Sequence, residues 1–164
     1  FCASINDAIE KIIQPAHLNG MVVISDRYTM STRVYQRDSK HVSKVCDIIE
    51  SQLLPDIVFV LDAPPNIVKS RISARNLGGD AMETVSDEVL NSRRKEFLRL
   101  SREYGPDVHR IDASMSQEEV AELVIDILDG YYDFIKYTDL IDEKKKYEII
   151  SLISKYISIF YNVH

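Results

Sequence analysis

The chain has 164 residues, 45% of them hydrophobic, which suits one globular domain with a core of its own. A formal charge of −6 argues against a nucleic-acid-coating surface or an anionic-membrane binder, and no apolar run is long enough to span a membrane. Cys2 and Cys46 match no metal spacing or disulfide framework, which points to a reducing cytoplasm, and the four histidines are scattered without ligand spacing.

Ile5, Ile9, Ile12 and Ile13 recur at helical spacing over residues 1–19, with a break or kink expected at Pro15 and an end at Gly20. Residues 21–25, MVVIS, read as a short strand buried on both faces. The polar stretch after it, SDRYTMSTRVYQ over 25–36, is denser in donors and acceptors than solvation requires. From Ser39 a helix carries Val42, Val45, Cys46, Ile49 and Leu53 on one stripe and stops at Pro55. Residues 57–62, IVFVLD, are the clearest buried strand, and Ala63-Pro64-Pro65 turns the chain into a helix with Ile67, Val68 and Ile72 inward.

The acidic segment 76–88 contains Gly78-Gly79 and reads as a surface loop. A helix over about 86–104 follows, capped by Ser86 or Asp87 and carrying the basic group Arg93, Arg94, Lys95 and Arg99. VHRID (108–112) is a third strand, and Ser116-Gln117-Glu118-Glu119 is a capping box. Helices near 117–136 and 139–161 complete the chain, the last with Ile149, Ile150, Ile153, Ile157 and Phe160 on an amphipathic pattern. Strands alternating with helices imply an α/β fold with a mainly parallel sheet. Three strands make a thin sheet, so either another is hidden or strands N-terminal to Phe1 are missing.

Ligands of such sheets gather beyond the carboxyl ends of the strands. Three segments reach that edge: Ser25-Asp26-Arg27-Tyr28, Asp62-Ala63-Pro64-Pro65 and Asp112-Ala113-Ser114. Asp26-Arg27 is either a strand-end ion pair or a phosphate site, with Arg27 as the fork and Asp26 organising a magnesium-bound water. Arg71 and Arg75, four apart on one helix before the glycine-bearing loop, form either a phosphoryl clamp or a solvated face. The sequence contains no G-x-x-x-x-G-K-[ST], and its glycines fall in no phosphate-cradling arrangement.

Taken in order, Phe1, Asp26-Arg27-Tyr28, Ser31-Thr32, Tyr35-Gln36, the strand PDIVFVLDAPP, the RISAR helix, the lid-like loop and RIDAS resemble the thymidylate kinase family over about residues 1–128. The resemblance implies a P-loop NTPase kinase fold: three layers, a parallel sheet flanked by helices. It divides the chain into a kinase-like core at 1–130, with a lid at about 76–86, and a C-terminal helical extension at 131–164. It implies transfer of the ATP γ-phosphoryl group to a deoxynucleoside monophosphate, dTMP foremost, with Mg²⁺, in pyrimidine deoxynucleotide synthesis by a cytoplasmic homodimer.

By the same resemblance, Phe1 stacks on the acceptor base, Arg27 holds its phosphate, and Asp26 stands beside the metal through water. Ser31 and Thr32 meet the base edge, Tyr35 lies under the sugar against a 2′-hydroxyl, and Gln36 closes the motif. Asp26, Arg27, Arg71 and Arg75 are the implied catalytic set, and Arg71, Arg75, Ala113 and Ser114 the implied ATP-binding set.

The sequence departs from the family pattern at Ile5, where a base-reading arginine is common, and at Asp80-Ala81-Met82-Glu83, which lacks the lid arginine. With no phosphate loop, the chain is expected to be the C-terminal portion of a longer kinase, inactive alone and prone to pair or aggregate through an exposed strand edge. A deoxynucleoside kinase and a non-catalytic nucleotide-binding relative or dimer scaffold are the alternatives.

Overall fold

The computed structural model describes residues 2–37, 39, 41–75, 85–104, 107–136, 144 and 151. The chain divides into two compact units, Phe1–Val58 with Ser92–Val108, and Phe59–Asn91 with His109–His164. Phe1, most of the expected lid and, apart from Lys144 and Ser151, the expected helix near 139–161 lie outside the described residues.

The first unit opens with α1 (Cys2–Ala8), a π-helical stretch (Ile9–Ile13) and α2 (Gln14–Leu18). Pro15 explains the widened stretch. It has no N–H to give the carbonyl four residues back, and the Gln14 N–H instead reaches the Ile9 carbonyl, five residues back. The helix ends in a Schellman motif. Gly20 N–H donates to the His17 carbonyl at 2.9 Å and Met21 N–H to the Ala16 carbonyl at 3.0 Å. That closure needs a left-handed residue, and Gly20 takes it at φ +68°.

The expected strand at 21–25 does not form. Met21, Val22 and Val23 run without a ladder, 56%, 42% and 38% exposed, because no described strand lies beside them. A β-branched run becomes a strand only when a neighbour takes its N–H and C=O groups. Then α3 (Thr29–Tyr35) and α4 (Val42–Gln52) pack on each other and on α1. Ile9, Met30, Val34, Val42, Cys46, Ile49 and Leu100 are the buried apolar residues of this unit. The stripe read on α4 is thus its inner face.

The second unit carries most of a two-stranded sheet, β1 (Val58–Asp62) beside β2 (Val108–Asp112). Val58 N–H donates to the Asp107 carbonyl and Ala113 N–H to the Asp62 carbonyl, so the register advances in the same sense on both strands and the pair is parallel. Helices α5 (Pro65–Arg75) and α7 (Gln117–Lys136) follow the two strands, as the parallel connection requires. Val60, Ile72, Ile111, Ala113, Val120, Val124 and Leu128 are buried. Helix α6 (Asp87–Glu103) joins one unit to the other in sequence. Its Ser86 cap accepts from the Val89 N–H at 3.4 Å. The capping box at α7 closes both ways, Ser116 N–H to Glu119 at 2.8 Å and Glu119 N–H to the Ser116 hydroxyl at 3.2 Å.

Candidate acceptor-nucleotide site

The stretch 25–28 turns sharply before α3. Arg27 sits at φ +68°, the only non-glycine with positive φ among the described residues. The left-handed region costs a branched L-residue about 1 kcal/mol or more, and such strain clusters where function fixes the geometry. The Ser25 hydroxyl holds the turn by donating to the Arg27 carbonyl at 2.9 Å. The turn is what aims the Arg27 guanidinium, whose Cζ stands 5.4 Å from the centroid of the Tyr35 ring, at the far end of α3.

Tyr35 is 45% exposed. Phe97 of α6 meets it edge-on, centroids 6.0 Å apart at 72°. Arg93, one helical turn before Phe97, places its Cζ 4.9 Å from the same ring. Two guanidiniums and an aromatic edge therefore converge on one tyrosine. The basic group on α6 was legible as a group, but only the fold shows that Arg93 belongs with Arg27.

The other predicted acceptor residues fall on or beside α3. Ser31 is half-buried, whereas Thr32 is buried and its hydroxyl donates back to the Tyr28 carbonyl at 3.5 Å. Gln36 caps the helix, its N–H donating to the Thr32 carbonyl. Asp26 is exposed in the turn, and Ile5 is half-buried on α1.

Behind the turn lies a network that sequence reasoning missed. Arg33 donates to Asp47 at 2.8 Å, to Glu50 at 2.7 Å and to the Ser43 hydroxyl at 3.1 Å. The Tyr104 hydroxyl hydrogen-bonds Glu50 and lies 3.1 Å from Thr29 Oγ1. The Tyr28 hydroxyl donates to the Leu53 carbonyl at 2.9 Å. Burial pushes the Glu50 carboxyl up, but hydrogen bonds from Arg33, Thr29 and Tyr104 outweigh it and hold the group below its ordinary range. Burial, and then the Glu50 carboxylate, push the Tyr104 hydroxyl up to about 12. The network borders a cleft of about 560 Å³ that also touches Arg37, Glu96 and Arg99.

In the second unit, Arg71 of α5 donates to the Ala113 carbonyl at 2.6 Å and the Met115 carbonyl at 2.9 Å. The structure thus brings together Arg71, Ala113 and Ser114, three of the four residues read as the donor-nucleotide set. Asp112 shapes the same loop, accepting from the Ser114 N–H at 2.9 Å and hydroxyl at 2.6 Å, which hold its carboxyl below the usual range. Asp62, buried at the end of β1, is paired with Arg110 at 2.6 Å, a strand-end ion pair. Arg75 closes α5.

The family model for thymidylate kinase matches residues 1–124. The chain belongs to the thymidylate kinase family. Its relatives include the thymidylate kinase of Dinoroseobacter shibae, 36% identical over 129 residues, and that of Jannaschia sp., 33% identical over 128, each match covering 76% of this chain and 62% of the relative. The thymidylate kinase of Ruegeria pomeroyi is 32% identical over 132 residues, 78% of this chain and 63% of its own length. The chain therefore spans somewhat less than two thirds of the length of these thymidylate kinases. The matched region contains the Arg27 turn, Tyr35, Arg93, Arg71 and the Ala113-Ser114 loop. Among the described residues no helix is long and apolar enough to cross a membrane.

Proposed function

We propose that this chain forms the acceptor side of a thymidylate kinase, a phosphotransferase that moves the ATP γ-phosphoryl group onto dTMP. The observation that carries the proposal is Arg27: a strained, left-handed turn directs an exposed guanidinium over Tyr35. A tidying ion pair would need no such backbone cost. A monophosphate suits the planar fork, and the aromatic face beneath keeps that fork oriented. Tyr35 is the proposed floor under the deoxyribose, where a ring leaves no room for a 2′-hydroxyl. Phe1 is proposed to stack on the base, with Ser31, Thr32 and Gln36 toward its edge. Ile5 offers no donor there and Thr32 is buried with its hydroxyl on the Tyr28 carbonyl, so the Ser31 hydroxyl and the Gln36 amide would supply base selectivity.

Phosphoryl transfer asks the protein mainly to position the reactants and neutralise charge. Arg27 would hold the acceptor phosphate in line, and Arg71 and Arg75 would serve the donor side, Arg71 by fixing the Ala113-Ser114 loop that borders the adenine. Mg²⁺ fits the residues present. No cluster of three metal-ligating side chains occurs among the described residues, and this ion is commonly held by phosphates and water with one or two carboxylates, a part Asp26 can take. When bound, the ion supplies charge neutralisation on the phosphates. The activity also needs a triphosphate cradle, which this sequence does not contain. We further place the protein in the cytoplasm as a homodimer that binds no nucleic acid; the buried thiol of Cys46 supports the location and the charge of −6 the last point.

The test is binding of dTMP, dUMP and dCMP to the 164-residue chain by nuclear magnetic resonance titration, followed by an ATP-dependent assay of the chain fused to the phosphate-loop segment of a related thymidylate kinase. Shifts at Tyr35 and α3 on adding dTMP, and turnover in the joined protein, are expected. A folded chain that binds none of the three monophosphates sinks the proposal.

A further inference from the structure

Arg93 has no role in the reading above, yet it stands closer to the Tyr35 ring than Arg27 does, 4.9 Å against 5.4 Å. Among the described residues neither arginine is in an ion pair. On α6, Glu96, three residues after Arg93, binds Arg99, and Asp87 binds Lys69, while Glu88 precedes Arg93 by five residues. Two cations over one ring lie within about 10 Å of each other, on the order of a Debye length at 0.1 M salt, so they repel across that distance. A chain that carries 26 acidic residues against 20 basic ones and, among the described residues, brings none into an ion pair with these two arginines is arranged for an anion from outside. Both guanidiniums stand within cation–π range of the Tyr35 ring, which Phe97 meets edge-on.

We infer that Arg93 is a second phosphate-binding residue of the acceptor site, and that Arg27, Tyr35 and Arg93 together form a two-guanidinium cradle for the 5′-phosphate dianion of the acceptor nucleotide. The inference rests on the acceptor-site reading and adds to it a residue from α6. Because α6 follows the segment read as the lid, the cradle ties acceptor binding to the helix that bounds that segment. The cradle's substrate class is a monophosphate ester; a nucleoside without the phosphate has nothing to offer it.

The experiment compares dTMP, thymidine and inorganic phosphate binding to the 164-residue chain and to Arg93→Ala, Arg93→Lys and Arg27→Ala, by nuclear magnetic resonance titration at two salt concentrations. Arg93→Ala is expected to weaken dTMP and inorganic phosphate by about tenfold, the usual size of one lost charge-assisted contact, and to leave thymidine within about twofold. Arg93→Lys, which keeps the charge but loses the fork and the stack, is expected to fall between. If Arg93→Ala weakens thymidine as much as dTMP, Arg93 only props the ring and the inference is overturned. It is overturned equally if Arg93→Ala leaves dTMP unchanged while Arg27→Ala weakens it, and the acceptor-site reading then stands. A wild-type chain that binds inorganic phosphate at Tyr35 but not dTMP overturns the nucleotide reading and keeps the anion cradle.

Discussion

Arg33 and Arg27 are six residues apart, and the fold treats them in opposite ways. Arg33 is enclosed: its side chain is 15% exposed, and Asp47, Glu50 and Ser43 take its donors. Arg27 is exposed on a strained turn, facing an aromatic ring and sharing it with another cation. A charge neutralised within the chain, with its hydrogen bonds made, holds structure together and has little left for a ligand. A charge that the backbone is strained to present, with no ion pair among the described residues, suits the proposed role of meeting a ligand. The cleft beside Arg33 therefore reads as framework despite its size, and the place at Tyr35 is the one proposed as the acceptor site.

The largest effect that would break this contrast is on stability. Arg33→Met leaves Glu50 half-buried with its main partner gone, and losing one member of such a pair costs roughly 3 kcal/mol or more. A urea midpoint should fall accordingly, while dTMP affinity of the folded protein holds. Arg27→Ala should do the reverse. Affinity for dTMP is expected to drop by about 2 kcal/mol, roughly thirtyfold, with the urea midpoint unchanged or raised. If both variants lose stability equally, the distinction between framework and site is wrong.

Acid and alkali act on the framework. Glu50 is held below its unfolded value of 4.5, so the stability it contributes is complete above that value and is lost as pH falls through the lower folded one. Tyr104 runs the other way. Raised from 10.0 to about 12, its contribution is complete below 10.0 and is lost as pH rises toward 12. Thermal melts of wild type and Arg33→Met across these two windows should converge at low pH, where Glu50 is protonated and no longer needs Arg33. Curves that stay parallel there would remove Glu50 from the account.

The same contrast marks what the sequence could disclose. Helices α4, α6 and α7 were legible from their 3.6-residue stripes and their caps, as Ser86 and the Ser116–Glu119 box show, because those signals lie within a few residues of one another; α3, inside the polar stretch 25–36, was not read as a helix. β1 was legible from its apolar run and β2 from its place between two helical patterns. MVVIS looked just as strand-like, but strand formation is settled by a neighbouring ladder, which the run itself does not encode. The Arg33 network was invisible for a related reason: Arg33, Glu50 and Tyr104 are brought together only by the packing of α3, α4 and α6. For the proposed site, Asp-Arg after an apolar run drew attention to Arg27, and the structure sets its guanidinium beside the Tyr35 ring. Neither the left-handed backbone at Arg27 nor the arrival of Arg93 from α6 leaves a local trace.

The smallest effect is the sharpest test of why Arg27 is strained at all. Glycine pays nothing for φ +68°, so Arg27→Gly should remove the steric cost of the turn, a gain of about 1 kcal/mol offset in part by the larger entropy of the unfolded glycine. Ser25→Ala should move stability the other way by about 1 kcal/mol, since the hydroxyl that braces the Arg27 carbonyl is lost. If the turn exists to present the guanidinium, Ser25→Ala will weaken dTMP binding with Arg27 still in place, and in the Arg27→Gly background the same change will leave binding unaltered. A double-mutant cycle on those two positions, read out by dTMP titration, measures the coupling directly. Additive effects would mean that the strained turn and the phosphate contact are separate facts, and that the backbone at Arg27 has some other cause.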